Sequence, residues 1–201
     1  MSEKTDHPSH LVKTMRVLKR TRWAQYRRRK AHSKKVAELA EAVAVSMRLP
    51  EAEVASIRRA ALLQDLGNLS VSEEVLLKPG PLTEEEFQQV RGHVELSARN
   101  LEAVEELQDV APIVRHHHER VDGSGYPLGL AGREIPLGAR VLAAADAYVK
   151  MTADLPWRAA KSHDEAVEEL RAAAGVHLDE EVVHHLLAVL RARPQGGGHG
   201  A

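Results

Sequence analysis

Helical spacing of the apolar residues is the feature that most constrains the fold of this chain. In the clearest example, Val36, Leu39, Ala40, Val43 and Met47 recur every three or four positions, which is the spacing of one face of an α-helix. No stretch alternates apolar and polar residues for long enough to predict a strand. Only 3% of the residues are aromatic, so the core must consist mainly of Leu, Val and Ala, which suits packed helices. We therefore predict an all-α domain of about seven helices.

Helix boundaries can be predicted from capping and breaking residues. Pro50 suits the start of a second helix, whose apolar face would include Ile57, Ala61 and Leu62. Gly67 would end this helix. Further helix starts are predicted by two Ser/Thr-x-x-Glu patterns and one aspartate, namely Thr83 with Glu86, Ser162 with Glu165, and Asp179 before a last helix running to about Arg193.

Composition limits the class of protein. A length of 201 residues suits one domain, or one domain with an extension. The formal net charge of -1 predicts no partner by charge alone. The absence of cysteine excludes disulfides and thiolate metal sites, and suits a cytoplasmic protein. We see no apolar run of about 18 residues and no apolar N-terminal signal, so we expect neither a membrane span nor secretion.

The run HHERVDGSGYP at residues 117–127 carries the strongest chemical signal. Neutral imidazoles are the commonest protein ligands of divalent transition metals. The two glycines, Gly123 and Gly125, mark a loop that adopts backbone conformations closed to other residues. This pattern predicts metal ligands at a helix end, followed by a shaped loop over a site.

Three segments together resemble the HD-GYP domain, a family of metal-dependent phosphodiesterases that hydrolyse cyclic di-GMP. The run at 117–127 matches the family signature HHExxDGxGYP at every fixed position. KPGPLTEEEF at 78–87 is similar to the family's KPGxLTxEE segment, and 130–148 is similar to the stretch with its last metal-binding aspartate. The resemblance implies an HD-domain helical bundle over 31–193. A basic N-terminal helical extension at 1–30 and a flexible Gly-rich tail at 194–201 lie outside it.

The resemblance also implies a set of site residues. The metal ligands would be His32, Asp65, His93, His117, His118 and Asp146. Asp65 would bridge two metal ions, and Glu119 would serve catalysis by orienting one of the metal histidines. Substrate or partner binding would fall to Asp122, Gly123, Gly125, Tyr126, Pro127 and Arg158. A mixed set of imidazoles and carboxylates suits Fe, Mn or Zn.

Three positions depart from the family pattern. The HDxGK motif reads QDLGN at 64–68, so Gln64 replaces an imidazole and Asn68 replaces a lysine. Leu155 stands where the family usually has an arginine that can bind phosphate. Asp65, His93, His117 and His118 keep one expected metal site intact. We therefore expect one firm metal site, and a second site that is weak or empty.

These departures leave two functional hypotheses open. The first is a degenerate HD-GYP-like domain that binds metal and a nucleotide such as cyclic di-GMP for regulation, with weak or no hydrolysis. The second is an active metal-dependent phosphodiesterase acting on cyclic di-GMP or a related nucleotide. The intact GYP loop also suggests docking of a diguanylate cyclase (GGDEF) domain. Self-association stays open.

The N-terminal segment is strongly basic. Residues 7–36 contain no acidic residue and eleven lysines and arginines, with Trp23 and Tyr26 among them. Leu11, Met15 and Leu18 share one helical face, which predicts an amphipathic basic helix. It could contact nucleic acid, an anionic membrane or an acidic protein. The competing interpretation, to which we give equal weight, is a helix packed on the domain with its charges in solvent.

Overall fold

A computed structural model describes residues 30–67, 71–76, 78, 80–154 and 158–192 of the chain. The chain divides into a unit of residues 1–32 and a unit of residues 33–201. The basic segment up to residue 29 and the Gly-rich tail lie outside the described residues. Asn68 and Leu155 lie outside them as well.

The described residues form helices joined by loops. The α-helices are α1 at 30–46, α2 Glu51–Leu63, α3 Glu73–Leu76, α4 Glu84–Glu102, α5 Ala111–His116, α6 Leu137–Met151, α7 His163–Ala173 and α8 Glu180–Ala192. Strand-like pairing in this part of the chain is confined to isolated bridges. The all-α prediction is confirmed, and seven of these helices are longer than the single turn of α3. None of them combines the length and apolar character needed to cross a bilayer.

The core forms around α6, which packs against α2, α5, α7 and α8. The apolar face predicted for α1 is confirmed, since Val36, Leu39, Ala40 and Val43 are at most 1% exposed. The face predicted for the second helix is partly wrong, because Leu62 is 46% exposed. Each helical residue is rotated by about 100° from the one before it. A helix that buries the preceding residues therefore turns this leucine outward.

Capping side chains fix the helix starts as the sequence predicts. The Glu86 carboxylate accepts a hydrogen bond from Thr83 N at 2.7 Å, and Thr83 Oγ1 accepts one from Glu86 N at 3.3 Å, which completes a capping box on α4. Ser162 and Glu165 form the same motif on α7. Asp179 Oδ1 accepts a hydrogen bond from Val182 N at the start of α8. The second helix, by contrast, ends at Leu63 rather than at the predicted glycine.

Candidate metal centre

Two neighbouring elements supply three histidines that meet in space. His93 lies on α4, whereas His117 and His118 follow the C-terminal end of α5. One possible ligand atom from each histidine lies within 4.8 Å of the other two. The ring centroids of His117 and His118 are 3.9 Å apart, and that of His93 is 5.3 Å from that of His118. Three of the six predicted metal ligands therefore form one compact group, which we call the histidine cluster.

Backbone carbonyls orient two of these rings. His93 Nδ1 lies 2.5 Å from the carbonyl oxygen of Val90, and His117 Nδ1 lies 2.7 Å from that of Val114. Since a carbonyl oxygen only accepts, each Nδ1 carries the proton and each Nε2 keeps its lone pair. His93 Nε2 is buried and has no hydrogen-bond partner among the described residues. A divalent metal ion would provide the missing partner for this oriented and buried lone pair.

Burial keeps the cluster in the protonation state that binds metal. It lowers the pKa of His93, lowers that of His117 to about 4, and lowers that of His118 well below its ordinary value. The uncharged form of each ring is therefore favoured near neutral pH. Neutral imidazole is the ligand form, and three such donors suit a divalent transition metal. The residues present thus fit the expected metal.

The two predicted aspartate ligands lie close to the histidine cluster but do not belong to it. Asp65 follows α2, and Asp146 lies on α6 with 4% of its surface exposed. After burial, the charge of Asp146 has the largest effect on the pKa of His117 and raises it. The charge of Asp65 likewise raises the pKa of His93. The group of atoms within 4.8 Å of one another contains three imidazoles, and the roles of Asp65 and Asp146 as metal ligands stay predictions.

A lysine that the sequence analysis missed lies beside these carboxylates. Lys150 Nζ is 2.5 Å from Asp146 Oδ2, one helical turn along α6. Partial removal of the ammonium from water opposes the charged form, yet the negative charges of Asp146 and Asp65 hold the pKa of Lys150 above its ordinary value. The i, i+4 spacing of an acid and a lysine on one helix was the available sequence signal.

The segment with the altered motif packs directly on α4. Gly67 N donates a hydrogen bond to Ser97 Oγ at 2.7 Å, and Ser97 Oγ donates one to the backbone carbonyl oxygen of Gln64 at 3.2 Å. A Cβ atom on Gly67 would lie 2.2 Å from the carbonyl oxygen of His93, so the close approach requires glycine. Gln64 is 1% exposed, and neither atom of its amide has a hydrogen-bond partner among the described residues. Such an amide is costly to bury.

Glu119 holds the loop that follows the paired histidines. Its buried carboxylate accepts hydrogen bonds from Leu128 N at 2.7 Å and from Leu130 N at 3.1 Å. The histidine nearest to it is His116, whose Nδ1 lies 3.7 Å from Glu119 Oε1. We predicted that this acid orients a metal histidine. For His93 and His117 the backbone carbonyls do this, the carboxylate holds the loop, and a role of Glu119 towards a metal histidine stays a prediction.

The loop is a tight structure built on its glycines. A Cβ atom on Gly125 would lie 2.3 Å from the backbone nitrogen of Arg120, so no larger residue fits. Gly123 has a φ of +79°. Asp122 Oδ1 accepts hydrogen bonds from the backbone and hydroxyl of Ser124, which lower the pKa of this aspartate. This bonding gives Asp122 a turn-forming role within the segment predicted to bind substrate or partner.

The loop tyrosine connects the histidine cluster to α4. The ring centroid of Tyr126, the residue before Pro127, lies 4.9 Å from that of His118 and 6.4 Å from that of Phe87. The Arg91 guanidinium carbon lies 5.0 Å from the Tyr126 ring and 4.6 Å from the Phe87 ring. Burial raises the pKa of Tyr126 to about 12, so its hydroxyl stays protonated. Phe87 and Arg91 were not predicted, although their i, i+4 spacing places them on one helix face.

Two other predicted residues have different positions. Arg158 donates a hydrogen bond to the Lys150 carbonyl oxygen at 2.7 Å. His32 is half-buried and belongs to the unit of residues 1–32. The histidine cluster belongs to the other unit, so the role of His32 as a metal ligand stays a prediction.

The helical fold and a buried histidine cluster define the class of protein. The HD domain family matches residues 6–182, so the chain belongs to the HD domain family. It is 38% identical over 158 residues to a cyclic di-GMP phosphodiesterase of Thermotoga maritima, covering 78% of this chain and 43% of that protein. It is 34% identical over 163 residues to the 3'3'-cGAMP-specific phosphodiesterase 3 of Vibrio cholerae, covering 81% and 35%. The chain thus spans less than half the length of these relatives.

Solved structures support the fold. An HDG"Y"P protein from Bdellovibrio bacteriovorus superposes with a TM-score of 0.65 at 19% identity, over 81% of this chain and 52% of that one. The HD domain of the phosphodiesterase PgpH from L. monocytogenes, in complex with cyclic-di-AMP, superposes with a TM-score of 0.54 at 15% identity, over 81% and 90%. At these identities the likeness concerns the fold alone.

Proposed function

We propose that this chain is an HD-GYP-type domain that holds one divalent metal ion and binds a cyclic dinucleotide, with weak or no hydrolysis. The observation that carries the proposal is the meeting of His93, His117 and His118 within 4.8 Å. Carbonyl-anchored rings and depressed pKa values leave their lone pairs available to a metal. The role of the domain would then be regulatory.

The metal would be held mainly by the three imidazoles. Asp65 is the next candidate ligand, because its charge acts on His93. His32 and Asp146 are the remaining proposed ligands, expected for a second and weaker site. Fe, Mn and Zn are the metals that suit these donors. A bound metal ion would polarise a phosphoryl oxygen and acidify a water molecule.

The nucleotide would lie beside the loop. Arg91 offers a guanidinium for phosphate, and its guanidinium carbon lies 4.6 Å from the centroid of the Phe87 ring and 5.0 Å from that of the Tyr126 ring. The protonated hydroxyl of Tyr126 would donate to a phosphate oxygen or to a base. Arg158 would add a second cation. Cyclic di-GMP is the first candidate because several relatives are named for it, with 3'3'-cGAMP second.

The altered motif is the reason to expect little hydrolysis. Gln64 offers a neutral amide where the HD motif has an imidazole, and an amide is a poorer ligand for a transition metal. Asn68 and Leu155 remove two cations from the family pattern. Two metal ions can hold both the attacking and the leaving oxygen of an in-line displacement, and a centre with one ion lacks one of these two contacts.

An active phosphodiesterase is the second candidate function. Identity of 34 to 38% with proteins named as cyclic dinucleotide phosphodiesterases favours it. In that case Asp65 would bridge two ions, and Glu119 would contribute by holding the loop over the centre.

Two further interactions are proposed on sequence alone. A diguanylate cyclase (GGDEF) domain would dock on the GYP loop, whose Gly123, Gly125 and Pro127 are all present. The basic N-terminal segment would contact nucleic acid, an acidic protein or an anionic membrane, and salt-dependent binding assays would separate these partners.

The deciding experiment measures binding and turnover in the same samples. Protein loaded with Mn²⁺ or Fe²⁺ is titrated calorimetrically with cyclic di-GMP and with 3'3'-cGAMP, and the mixtures are then analysed for linear dinucleotide and GMP. We expect binding with little product, and we expect His118→Ala to remove the metal and weaken binding. Rapid, metal-dependent product formation would establish the second candidate. Protein that binds neither metal nor nucleotide would refute both.

A further inference from the structure

The ion pair between Lys150 and Asp146 lies at the acidic part of the centre. The Asp146 side chain is 6% exposed, whereas that of Lys150 is 48% exposed. The lysine therefore reaches a buried carboxylate from the surface, and its ammonium ends 2.5 Å from a carboxylate oxygen. A pair with a buried member is screened by solvent much less than a pair on the open surface.

The charge of the ammonium also acts on the other groups of the centre. Its positive charge contributes to the lowered pKa of His93, His117 and His118, after the larger effect of burial. Asp65 and Asp146 both act on it in return. One protein cation thus pairs with Asp146 and acts electrostatically on Asp65 and on the histidine cluster.

A cation in this position competes with a second metal ion. The ammonium already pairs with one oxygen of the Asp146 carboxylate and offsets its negative charge, and two cations close together repel each other. Gln64 adds no imidazole to compensate. We propose that Lys150 is a built-in cation that takes the place of the second metal ion and leaves the centre with one. This inference rests on the proposed metal site of the histidine cluster.

The substitution has a chemical consequence. An ammonium neutralises phosphate charge and donates hydrogen bonds, but it does not acidify water as a divalent metal does. A centre with one metal ion and one ammonium would retain attraction for a phosphodiester. It would lack the second ion that two-metal in-line hydrolysis uses. This agrees with the proposal that the domain binds a cyclic dinucleotide but hydrolyses it weakly or not at all.

The test counts ions. Equilibrium dialysis with Mn²⁺, followed by metal analysis, is carried out on the full chain and on Lys150→Met, which keeps the length of the side chain and removes its charge. We expect one ion per chain in the parent protein. We expect a second ion in Lys150→Met, held at least about tenfold more tightly than any second ion of the parent. Lys150→Arg keeps the cation and should stay at one ion.

The matched control is Lys161→Met, which changes the net charge equally but removes a lysine paired with Glu169. It should stay at one ion. Gln64→His keeps Lys150 in place and should also stay at one, so it decides the matter if Lys150→Met does not fold. One ion in Lys150→Met, or two firm ions in Gln64→His or in the parent, would overturn the inference. If the parent protein binds no ion at all, the proposed metal site of the histidine cluster is overturned instead.

Discussion

The two sides of the centre differ in how their polar atoms are satisfied. On the histidine side, His93 and His117 each direct Nδ1 to a backbone carbonyl within 2.7 Å. Their Nε2 atoms are left for a ligand, and His93 Nε2 is buried without a partner among the described residues. The imidazoles on this side are neutral, and two of them are oriented so that Nε2 can bind a metal ion.

The acidic side is arranged differently. Asp146 already has a cation, the ammonium of Lys150. Gln64 buries an amide with no hydrogen-bond partner in the part of the chain that the structure describes. This side is therefore occupied by protein charge at one position and carries an unsatisfied amide at another.

The comparison teaches that ligand identity alone does not define a metal site. Asp146 matches the family pattern as well as His117 does, yet the groups around the two residues differ. A carbonyl acceptor prepares an imidazole for metal, whereas an ammonium competes with metal for a carboxylate. The groups in contact with each ligand residue thus decide which half of the matched ligand set can bind a metal ion.

The largest expected effect separates the two sides by metal affinity. His93→Ala should weaken binding of the firm ion more than about 100-fold, because changes beyond the direct ligands already cost roughly 10- to 100-fold. Asp146→Asn should weaken it less than about tenfold. Metal titration against a chelating dye measures both. His184→Ala, which removes an exposed histidine of α8, is the control. Equal losses of metal affinity in His93→Ala and Asp146→Asn would show that the two sides contribute equally to the firm site.

The next effect tests the loop that encloses the histidine side. Gly125→Ala should lower the free energy of unfolding by roughly 3 kcal/mol, because its Cβ would lie 2.3 Å from a backbone nitrogen. The matched control is Gly92→Ala on α4, where a Cβ meets nothing within 4 Å. It should raise stability by about 0.5 to 1 kcal/mol, as alanine favours a helix interior. Urea denaturation measures both, and a tolerant Gly125→Ala would show that the loop rearranges.

The pH dependence of stability tests whether the histidine side is neutral in the folded protein. His117 has a pKa of about 4 when folded and 6.5 as its ordinary value, so the unfolded chain binds more protons between these values. Stability is therefore full above pH 6.5 and falls as the pH drops towards 4. We expect a loss on the order of 2 kcal/mol between pH 7 and pH 5 in chelator-treated protein. His117→Gln should reduce the slope, although His93 and His118, whose pKa values are also lowered, keep part of it. An unchanged slope would mean that His117 does not titrate in this range.

The smallest effect concerns the acidic side. Gln64→Met keeps the size of the side chain and removes an amide that has no hydrogen-bond partner among the described residues. We expect the free energy of unfolding to rise by about 1 kcal/mol, measured by urea denaturation. A loss of stability would mean that the amide binds a water molecule or an ion in solution, and that this side is less impaired than we infer.

Much of the fold could be predicted because it depends on local rules. The spacing of Val36, Leu39 and Val43 predicted the buried face of α1, and the Thr83 and Ser162 capping boxes predicted two helix starts. These features involve residues within one helical turn of one another. The error at Leu62 arose where an apolar residue lies one step beyond the buried face, which local spacing does not settle.

The candidate site could be predicted only in part. Motif matching found His93, His117 and His118 because their residue types are set by chemistry. It did not predict that the Glu119 carboxylate accepts hydrogen bonds from the backbone of Leu128 and Leu130 and so holds the loop. It also missed Arg91 and Phe87, which lie 35 and 39 positions before Tyr126, the loop residue that they contact.

By itself the sequence determined the helices, their caps and the residue types able to bind metal, since each depends on neighbours along the chain. Only the tertiary structure decided which of those residues meet, which carbonyls orient the imidazoles, and that the Lys150 ammonium pairs with the Asp146 carboxylate. The reason is physical. Distances of a few ångströms between groups remote in sequence set the electrostatic interactions of a buried site, and folding alone brings those groups together.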